Sequence, residues 1–347
     1  MIVNLKRSEL SRIILDENSR IKDAINIIKK IRFKIVLVVN KKNKFMGTIT
    51  NGDIRRNLLS GLDLNDSITS ITNYRSVYVN KKNLNKIEGL MLKNKILSIP
   101  IIDRKKKIIG MCHKNLKRKY FRNTPIVVMA GGKGKRLLPL TKNTPKAMIK
   151  IKGKPMLETL LLKAKSSGYK KFFLSVNYLS NKILNYFKTG KKWKVSIEYI
   201  KEKKPLGTVG SLSLLNSNIT ENFILMNCDV VTDVNLSELE EYHKNNNAAL
   251  TITAHIRKSK IEYGVLETKG IKLENFTEKP ILNHYINAGI YVFNKKILKY
   301  IRPNKNYDLP DLLTYLMKIN KKIIIYPLYE SWTDVGLIKD LNYVRKK

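Results

Sequence analysis

The chain has 347 residues, 43% of them hydrophobic, enough for two separate cores, and no window approaches the roughly twenty uninterrupted apolar residues of a membrane span. Only two cysteines occur, Cys112 and Cys228, without paired spacing; they exclude a disulfide framework, and with an opening MIVNLKRSELSR that lacks a long apolar leader they set the expectation of a cytoplasmic protein. The formal charge is +41, yet lysines recur in turns along the whole length, as at Lys105-Lys106-Lys107, Lys203-Lys204 and Lys321-Lys322, so specific nucleic-acid recognition is not expected and only nonspecific polyanion binding at low salt is.

Residues 1–120 contain one pattern twice: an amphipathic helix, an apolar strand, a charged turn and a second strand carrying a glycine. In the first copy Ile21, Ala24, Ile25 and Ile28 share a helical face, residues 35–39 read as a buried strand, 41–44 as a turn and 45–50 as the second strand. The second copy runs from a helix at 84–91 through a strand at 98–103 to Lys107-Ile108-Ile109-Gly110. The arrangement resembles a tandem pair of CBS motifs, a module that folds as one unit and commonly binds adenine nucleotides. The resemblance implies ribose recognition by Thr50 and Asp53 after Gly47, whereas His113 and Leu116 stand at the matching places of the second copy. A Thr and an Asp after a strand also cap the following helix, so the alternative is a purely structural, dimer-forming module, and a homo-oligomer is expected. Residues 117–123 read as a charged connector.

The segment PIVVMAGGKGKRLLPLTKNTPKAMIKIKGKPM follows, at 125–156. Its first six residues read as a buried parallel strand, and Gly131-Gly132-Lys133-Gly134 breaks that strand at once. Glycines there let backbone N–H groups approach phosphate oxygens or a base. Arg136 can fork onto terminal phosphates, and Lys146, behind Pro145, can reach a phosphate chain as a point charge. Pro155 then opens a helix with Leu157, Leu160, Leu161 and Ala164 on its apolar face. The spacing is neither the Walker pattern nor a dinucleotide fingerprint, and a glycine-rich turn after a strand is often only a tight turn.

The run Gly131 to Leu137, then Pro139-Leu140-Thr141, then Pro145-Lys146, closely resembles the signature of the sugar-phosphate nucleotidyltransferases, nearest to the mannose-1-phosphate guanylyltransferase-like members. The likeness continues in order through Pro205-Leu206-Gly207-Thr208, Asn227-Cys228-Asp229, Tyr263-Gly264-Val265, Glu278-Lys279-Pro280, Asn287-Ala288-Gly289 and Trp332-Thr333-Asp334-Val335-Gly336. Cys228 departs from it, since glycine is usual there. The resemblance implies nucleotide binding by Gly131, Gly132, Gly134, Gly207 and Thr208, catalytic cations at Arg136, Lys146 and Lys279, sugar contacts at Gly264, Glu278 and Asn287, and Mg²⁺ held by Asp229 and Asp334. It implies an α/β protein: a three-layer α/β/α domain at 125–347 with a mostly parallel, Rossmann-like sheet, preceded by the smaller α+β CBS module at 1–120. The implied reaction joins a nucleoside triphosphate, GTP first, to a sugar 1-phosphate and releases pyrophosphate. Transfer from dTTP, UTP or CTP, or a catalytically silent regulatory subunit, are the alternatives; the retained cations and carboxylates argue against silence. An isolated Asp after a strand is more often a cap, and Glu278 with Lys279 could be a surface pair. His243, His255 and His284 lack ligand-like spacing, and without hexapeptide repeats no fused acyltransferase is expected.

Overall fold

The computed structural model describes the chain except residues 1, 6, 32, 115–121, 203, 216–218, 304 and 347, so Leu116, Lys203 and most of the expected connector lie outside the described residues. The chain divides into two compact units, Met1–Arg118 and Lys119–Lys347.

The first unit runs β1 (Ile2–Asn4), α1 (Arg7–Leu10), β2 (Ile14–Asp16), α2 (Ile21–Lys30), β3 (Ile35–Val39), β4 (Phe45–Thr50), α3 (Asn51–Leu59), β5 (Val79–Asn80), α4 (Ile87–Lys93), β6 (Ser98–Ile102) and β7 (Ile108–Lys114). Its sheets are β2-β3-β4 and β1-β7-β6-β5. In each, a short strand pairs in parallel with the first long strand, β2 with β3 and β5 with β6, and that strand pairs antiparallel with the next. The internal sequence repeat is therefore a repeat of structure. Ile21, Ala24, Ile25 and Ile28 are the buried face of α2, and β3 is buried along its whole length. The second copy departs from expectation: residues 81–86 form 3₁₀ turns and the α-helix starts only at Ile87. Asn83, at φ −109° and ψ 20°, breaks helical geometry there, as asparagine does when its side chain competes for local backbone groups.

The second unit continues with β8 (Ile126–Met129), β9 (Lys150–Ile151), β10 (Lys154–Pro155), α5 (Met156–Ser166), β11 (Lys171–Val176), α6 (Ser180–Phe187), β12 (Ser196–Lys201), α7 (Gly207–Gly210), β13 (Asn222–Asn227), β14 (Val230–Thr232), α8 (Leu236–Asn245), β15 (Leu250–Lys260), β16 (Val265–Lys269), β17 (Lys272–Thr277), β18 (Ile281–Asn294), α9 (Leu309–Lys318), β19 (Ile323–Leu328), β20 (Trp332–Asp334) and α10 (Ile338–Lys346). The central sheet has the order β12-β11-β8-β13-β18-β15-β19, and only β18 runs antiparallel to its neighbours. Alternate residues feed opposite cores. Val128, Leu174 and Ile224 pack with Leu157, Leu161 and Leu239 of α5 and α8 on one face, and Val127, Phe173 and Leu225 pack with Val209 and Leu312 of α7 and α9 on the other. Helices thus cover both faces, the three-layer arrangement of a mostly parallel sheet. Pro155 sits just before α5 as its N-cap, with ψ 144°, rather than inside the first turn.

Arg122 is tied into this unit, its guanidinium 2.8 Å from Glu240 and 3.2 Å from Glu241. Glu240 is buried, which by itself favours the neutral acid, but hydrogen bonds from Lys244, Thr124 and Tyr169 hold its pKa at about 2. Among the described residues no helix is long and apolar enough to cross a membrane.

Candidate functional site

A cleft of about 440 Å³ opens where β8 and β13 end, at the carboxyl edge of the sheet. Among the sequence-derived candidates, Gly131, Gly132, Gly134, Arg136, Lys146, Gly207, Thr208 and Asp229 line it. Asn177, Glu202 and Asp308 also line it and were not anticipated.

One end of the cleft is built by the loop after β8. Gly134 sits at φ 63°, and a Cβ there would lie 2.9 Å from the Thr141 methyl and 3.1 Å from Lys146 Cβ, so both backbone and space call for glycine. The Thr141 hydroxyl donates to the Gly134 carbonyl at 2.9 Å and closes the loop. Two 3₁₀ turns, Lys135–Leu137 and Lys146–Met148, then present Arg136 and Lys146. The Lys146 ammonium donates to Asp229 Oδ2, and both side chains are largely buried.

Asp229 follows the last residues of β13, and the antiparallel pair β14–β20 sets Val230 opposite Asp334. The Val335 N–H donates to the Asp229 carbonyl at 3.0 Å, fastening the two segments. Asp334 Oδ1 is buried without a hydrogen-bond partner. Burial pushes the Asp334 carboxyl above its ordinary range, the Asp229 charge adds to this, and Lys146 and Arg136 oppose it. Two adjacent carboxylates, one with an unsatisfied buried oxygen, suit a hard divalent cation that completes its shell with substrate oxygens and water. Among the described residues no group of three or more His, Cys, Asp or Glu could cage a metal without substrate. Cys228, before Asp229, is buried, and burial raises its thiol far above the ordinary range, so it contributes bulk rather than charge.

The other end is defined by acceptors. Glu202 accepts hydrogen bonds from the Ser175 hydroxyl and, at 3.0 Å, from the Leu206 N–H. Its Oε1 is 3.3 Å from where a Cβ on Gly131 would be, so glycine there leaves the carboxylate accessible to a ligand. Asn177 Nδ2 donates to the Glu202 carbonyl at 2.9 Å. Asp308 Oδ1 accepts from the Thr208 N–H at 2.8 Å, and the Leu309 N–H donates to the Thr208 hydroxyl at 2.7 Å, joining the starts of α7 and α9. A sequence signal for Glu202 existed: it is the lone acid among lysines at the end of β12.

Asp334 is not among the residues that line the cleft, and neither are the four remaining candidates of this unit. β15 and β18 continue past the sheet as a two-stranded ribbon that leads into the hairpin β16–β17. Gly264 lies against Phe276 and Glu278. Glu278 and Lys279 form an exposed pair 3.9 Å apart. Asn287, opposite Ala254 at the root of the ribbon, accepts from the Gly289 N–H at 3.1 Å. Next to it, the Trp332 indole donates to the Ala288 carbonyl at 2.8 Å and His255 stacks on Trp332 with centroids 4.9 Å apart. His243 is a core residue between Thr251 and Asn222, and burial lowers its pKa to about 4.

In the first unit, Thr50 and Asp53 form the capping box of α3. Asp53 Oδ2 accepts from the Thr50 N–H at 2.8 Å and hydroxyl at 2.6 Å, and Oδ1 accepts from Arg56. His113 pairs with the Ser98 hydroxyl at 2.8 Å.

Comparison with known proteins matches residues 126–347 to the nucleotidyl transferase family model and residues 9–60 to the CBS domain model. The chain is 33% identical over 226 residues to a mannose-1-phosphate guanyltransferase of Yarrowia lipolytica, covering 62% of this chain and 61% of that protein. It is 30% identical over 234 residues to a UTP–glucose-1-phosphate uridylyltransferase of Synechocystis, covering 62% of this chain and 60% of the relative. It therefore spans about 60% of the length of these relatives. The crystal structure of HddC from Yersinia pseudotuberculosis shares the fold, with TM-score 0.52 and 24% identity over 64% of this chain and 98% of that one.

Proposed function

We propose, from the premise that the chain belongs to the nucleotidyl transferase family, that its second unit transfers a guanylyl group from GTP to a sugar 1-phosphate, giving a GDP-sugar and pyrophosphate. The observation that carries this reading is the convergence of the glycine loop, Arg136, Lys146 and Asp229 on one cleft, with Asp334 held close behind Asp229. In the reaction an oxygen of the sugar phosphate bonds to the α-phosphorus of the triphosphate while the bond to the departing pyrophosphate breaks. Both reactants are polyanions, so the chain's task is to bring them together and compensate charge. Arg136 and Lys146 stabilise the charge that builds on pyrophosphate. Phosphate is already nucleophilic, so no general base or covalent intermediate is required. Mg²⁺, held by Asp229 and Asp334 when bound, would neutralise phosphate charge and align the reacting groups.

Glu202 favours guanine. A carboxylate only accepts hydrogen bonds, and guanine alone presents two adjacent donors on its pairing edge, whereas adenine presents an acceptor where a carboxylate would repel it. Each Glu202 oxygen already holds one hydrogen bond and keeps capacity for another. On the sugar side, Glu278, Asn287 and the backbone of Gly264 would meet hydroxyls, and Lys279 the sugar phosphate. A nucleotide sugar is an activated glycosyl donor, so the product serves glycan synthesis.

For the first unit we infer a tandem CBS module at 1–120 that precedes, in the sequence, a catalytic domain at 125–347. The first copy is supported by the family match, the second by the repeated strand pairing. An adenine nucleotide at Thr50 and Asp53 would have to compete with Arg56 for the carboxylate. Calorimetric titration with AMP and ATP, with Asp53→Asn as the control, tests that site.

The test of the reaction is pyrophosphate release by purified protein with Mg²⁺, each of GTP, UTP, CTP, dTTP and ATP, and a panel of sugar 1-phosphates. Release with GTP that is lost in Asp229→Asn and redirected or weakened in Glu202→Gln supports the reading. Release only with UTP would move the base assignment to that of the Synechocystis relative, and silence across the panel would leave a regulatory subunit.

A further inference from the structure

Three neighbouring parallel strands, β12, β11 and β8, end side by side at the cleft: Val176 of β11 is in register with Lys201 of β12, and Ser175 with Met129 of β8. Backbone hydrogen bonds carry the alignment past the strand ends. The Ala130 N–H donates to the Ser175 carbonyl at 2.8 Å, the Glu202 N–H to the Val176 carbonyl at 3.2 Å and the Tyr178 N–H to the Gly131 carbonyl at 3.3 Å. The residues just beyond the strands, Gly131, Asn177 and Glu202, therefore meet at one place, and all three line the cleft.

Gly131 leaves a space there. A Cβ on it would lie 3.2 Å from Asn177 Cβ and 3.3 Å from Glu202 Oε1, so one glycine void has an amide residue and a carboxylate as its walls. Asn177 turns its donor toward Glu202: Nδ2 donates to the Glu202 carbonyl at 2.9 Å. That nitrogen carries two protons, and among the described residues the second has no acceptor. The bond to the Glu202 carbonyl also keeps the amide from presenting its oxygen in place of its nitrogen.

We propose that Asn177 donates this second proton to O6 of guanine, a role that rests on the nucleotidyl-transfer reading of the cleft and extends it to one edge of the base. The pairing edge of guanine runs acceptor, donor, donor through O6, N1–H and the 2-amino group. Set against Asn177 and the two oxygens of Glu202, all three positions are matched. Uracil and thymine match the first two and bring a carbonyl against the carboxylate at the third. Adenine and cytosine bring a donor to the Asn177 donor and an acceptor to Glu202, so they fail from the first position. A site whose polar groups are left unpaired by the wrong ligand discriminates more strongly than a difference in size does. Asn177 is thus a specificity-determining residue against ATP and CTP, and the second Glu202 oxygen separates GTP from UTP and dTTP.

Equilibrium binding of GTP, ITP, 6-thio-GTP and UTP to the full chain in Mg²⁺ tests this without turnover, with far-UV circular dichroism to confirm folding. Wild type is expected to bind GTP more tightly than 6-thio-GTP, because sulfur is a weak acceptor. Asn177→Ala is expected to weaken GTP and ITP, which both carry O6, by about three- to tenfold and to leave 6-thio-GTP nearly unchanged. Asn177→Asp, which sets a carboxylate against O6, is expected to lose more GTP affinity than Asn177→Ala. Equal losses of GTP and 6-thio-GTP in Asn177→Ala would overturn the proposal, leaving Asn177 to hold Glu202 and the guanine reading intact. Tighter binding of UTP than of GTP, or no binding of any of the four, would overturn the guanine reading and the proposal together.

Discussion

In the proposed reaction Lys146 would serve both fold and chemistry. It neutralises Asp229 in a largely buried setting, so Lys146→Ala leaves a carboxylate without its cation and a cleft without its donor. We expect kcat to fall by about 10² to 10³, with a smaller change in GTP affinity measured by equilibrium binding. Asp334 makes the complementary case. Its buried oxygen is unsatisfied and the Asp229 charge opposes its own, an arrangement that costs stability and that the proposed metal site would explain. Asp334→Asn should therefore raise the melting temperature in EDTA by about 2–4 °C while lowering Mg²⁺-dependent activity at least about tenfold. A lower melting temperature would contradict the view that this carboxylate is held at a cost.

The buried His243 gives a pH signature. Its pKa is lowered to about 4, so the folded protein keeps the ring neutral while the unfolded chain protonates near its ordinary value of about 6.5. Its contribution to stability is complete above about pH 6.5 and is lost as pH falls toward about 4. Glu240 acts in a lower window, between its ordinary range and about 2. Urea unfolding from pH 7 to 5 should show stability falling with pH, and His243→Gln should flatten that slope; half-buried His255, also shifted down, supplies a remainder. Which residues share the cleft was only partly legible in the sequence. Arg136, Lys146 and Asp229 stand in a motif whose spacing survives in one chain. Glu202 and Asp308 are placed by Ser175 and Thr208 across 27 and 100 positions, and the only local trace is Glu202 standing as an acid among lysines.

At the scale of elements, the glycine loop is the most constrained piece. Gly134→Ala places a Cβ in a left-handed conformation and against Thr141 and Lys146. It should destabilise the protein by about 1–3 kcal/mol in urea unfolding and weaken GTP binding, because the loop that presents Lys146 must move. Periodicity made α2, β3 and β4 legible, since Ile21, Ala24, Ile25 and Ile28 repeat at helical spacing and residues 35–39 form an unbroken apolar run. It failed at 81–86, where Asn83 interrupts a helix that spacing alone would begin earlier.

At the scale of the molecule, the chain divides into two compact units and carries a formal charge of +41. That charge has a measurable consequence. Binding to random duplex DNA should be detectable at low salt, fall linearly in log affinity with log salt, and show no sequence preference. The same field draws anionic substrates, so the KM for GTP should rise with ionic strength while kcat stays nearly constant.

The central claim is that the cleft joins a nucleotide to a sugar phosphate. Its most direct test is ³¹P NMR of the purified full chain with Mg²⁺, GTP and mannose 1-phosphate. The account predicts loss of the sugar phosphate resonance, appearance of the paired resonances of a diphosphate diester and one equivalent of pyrophosphate, all absent with Asp229→Asn. Pyrophosphate or phosphate without the diester, or no change with any sugar phosphate and any nucleoside triphosphate, would contradict it.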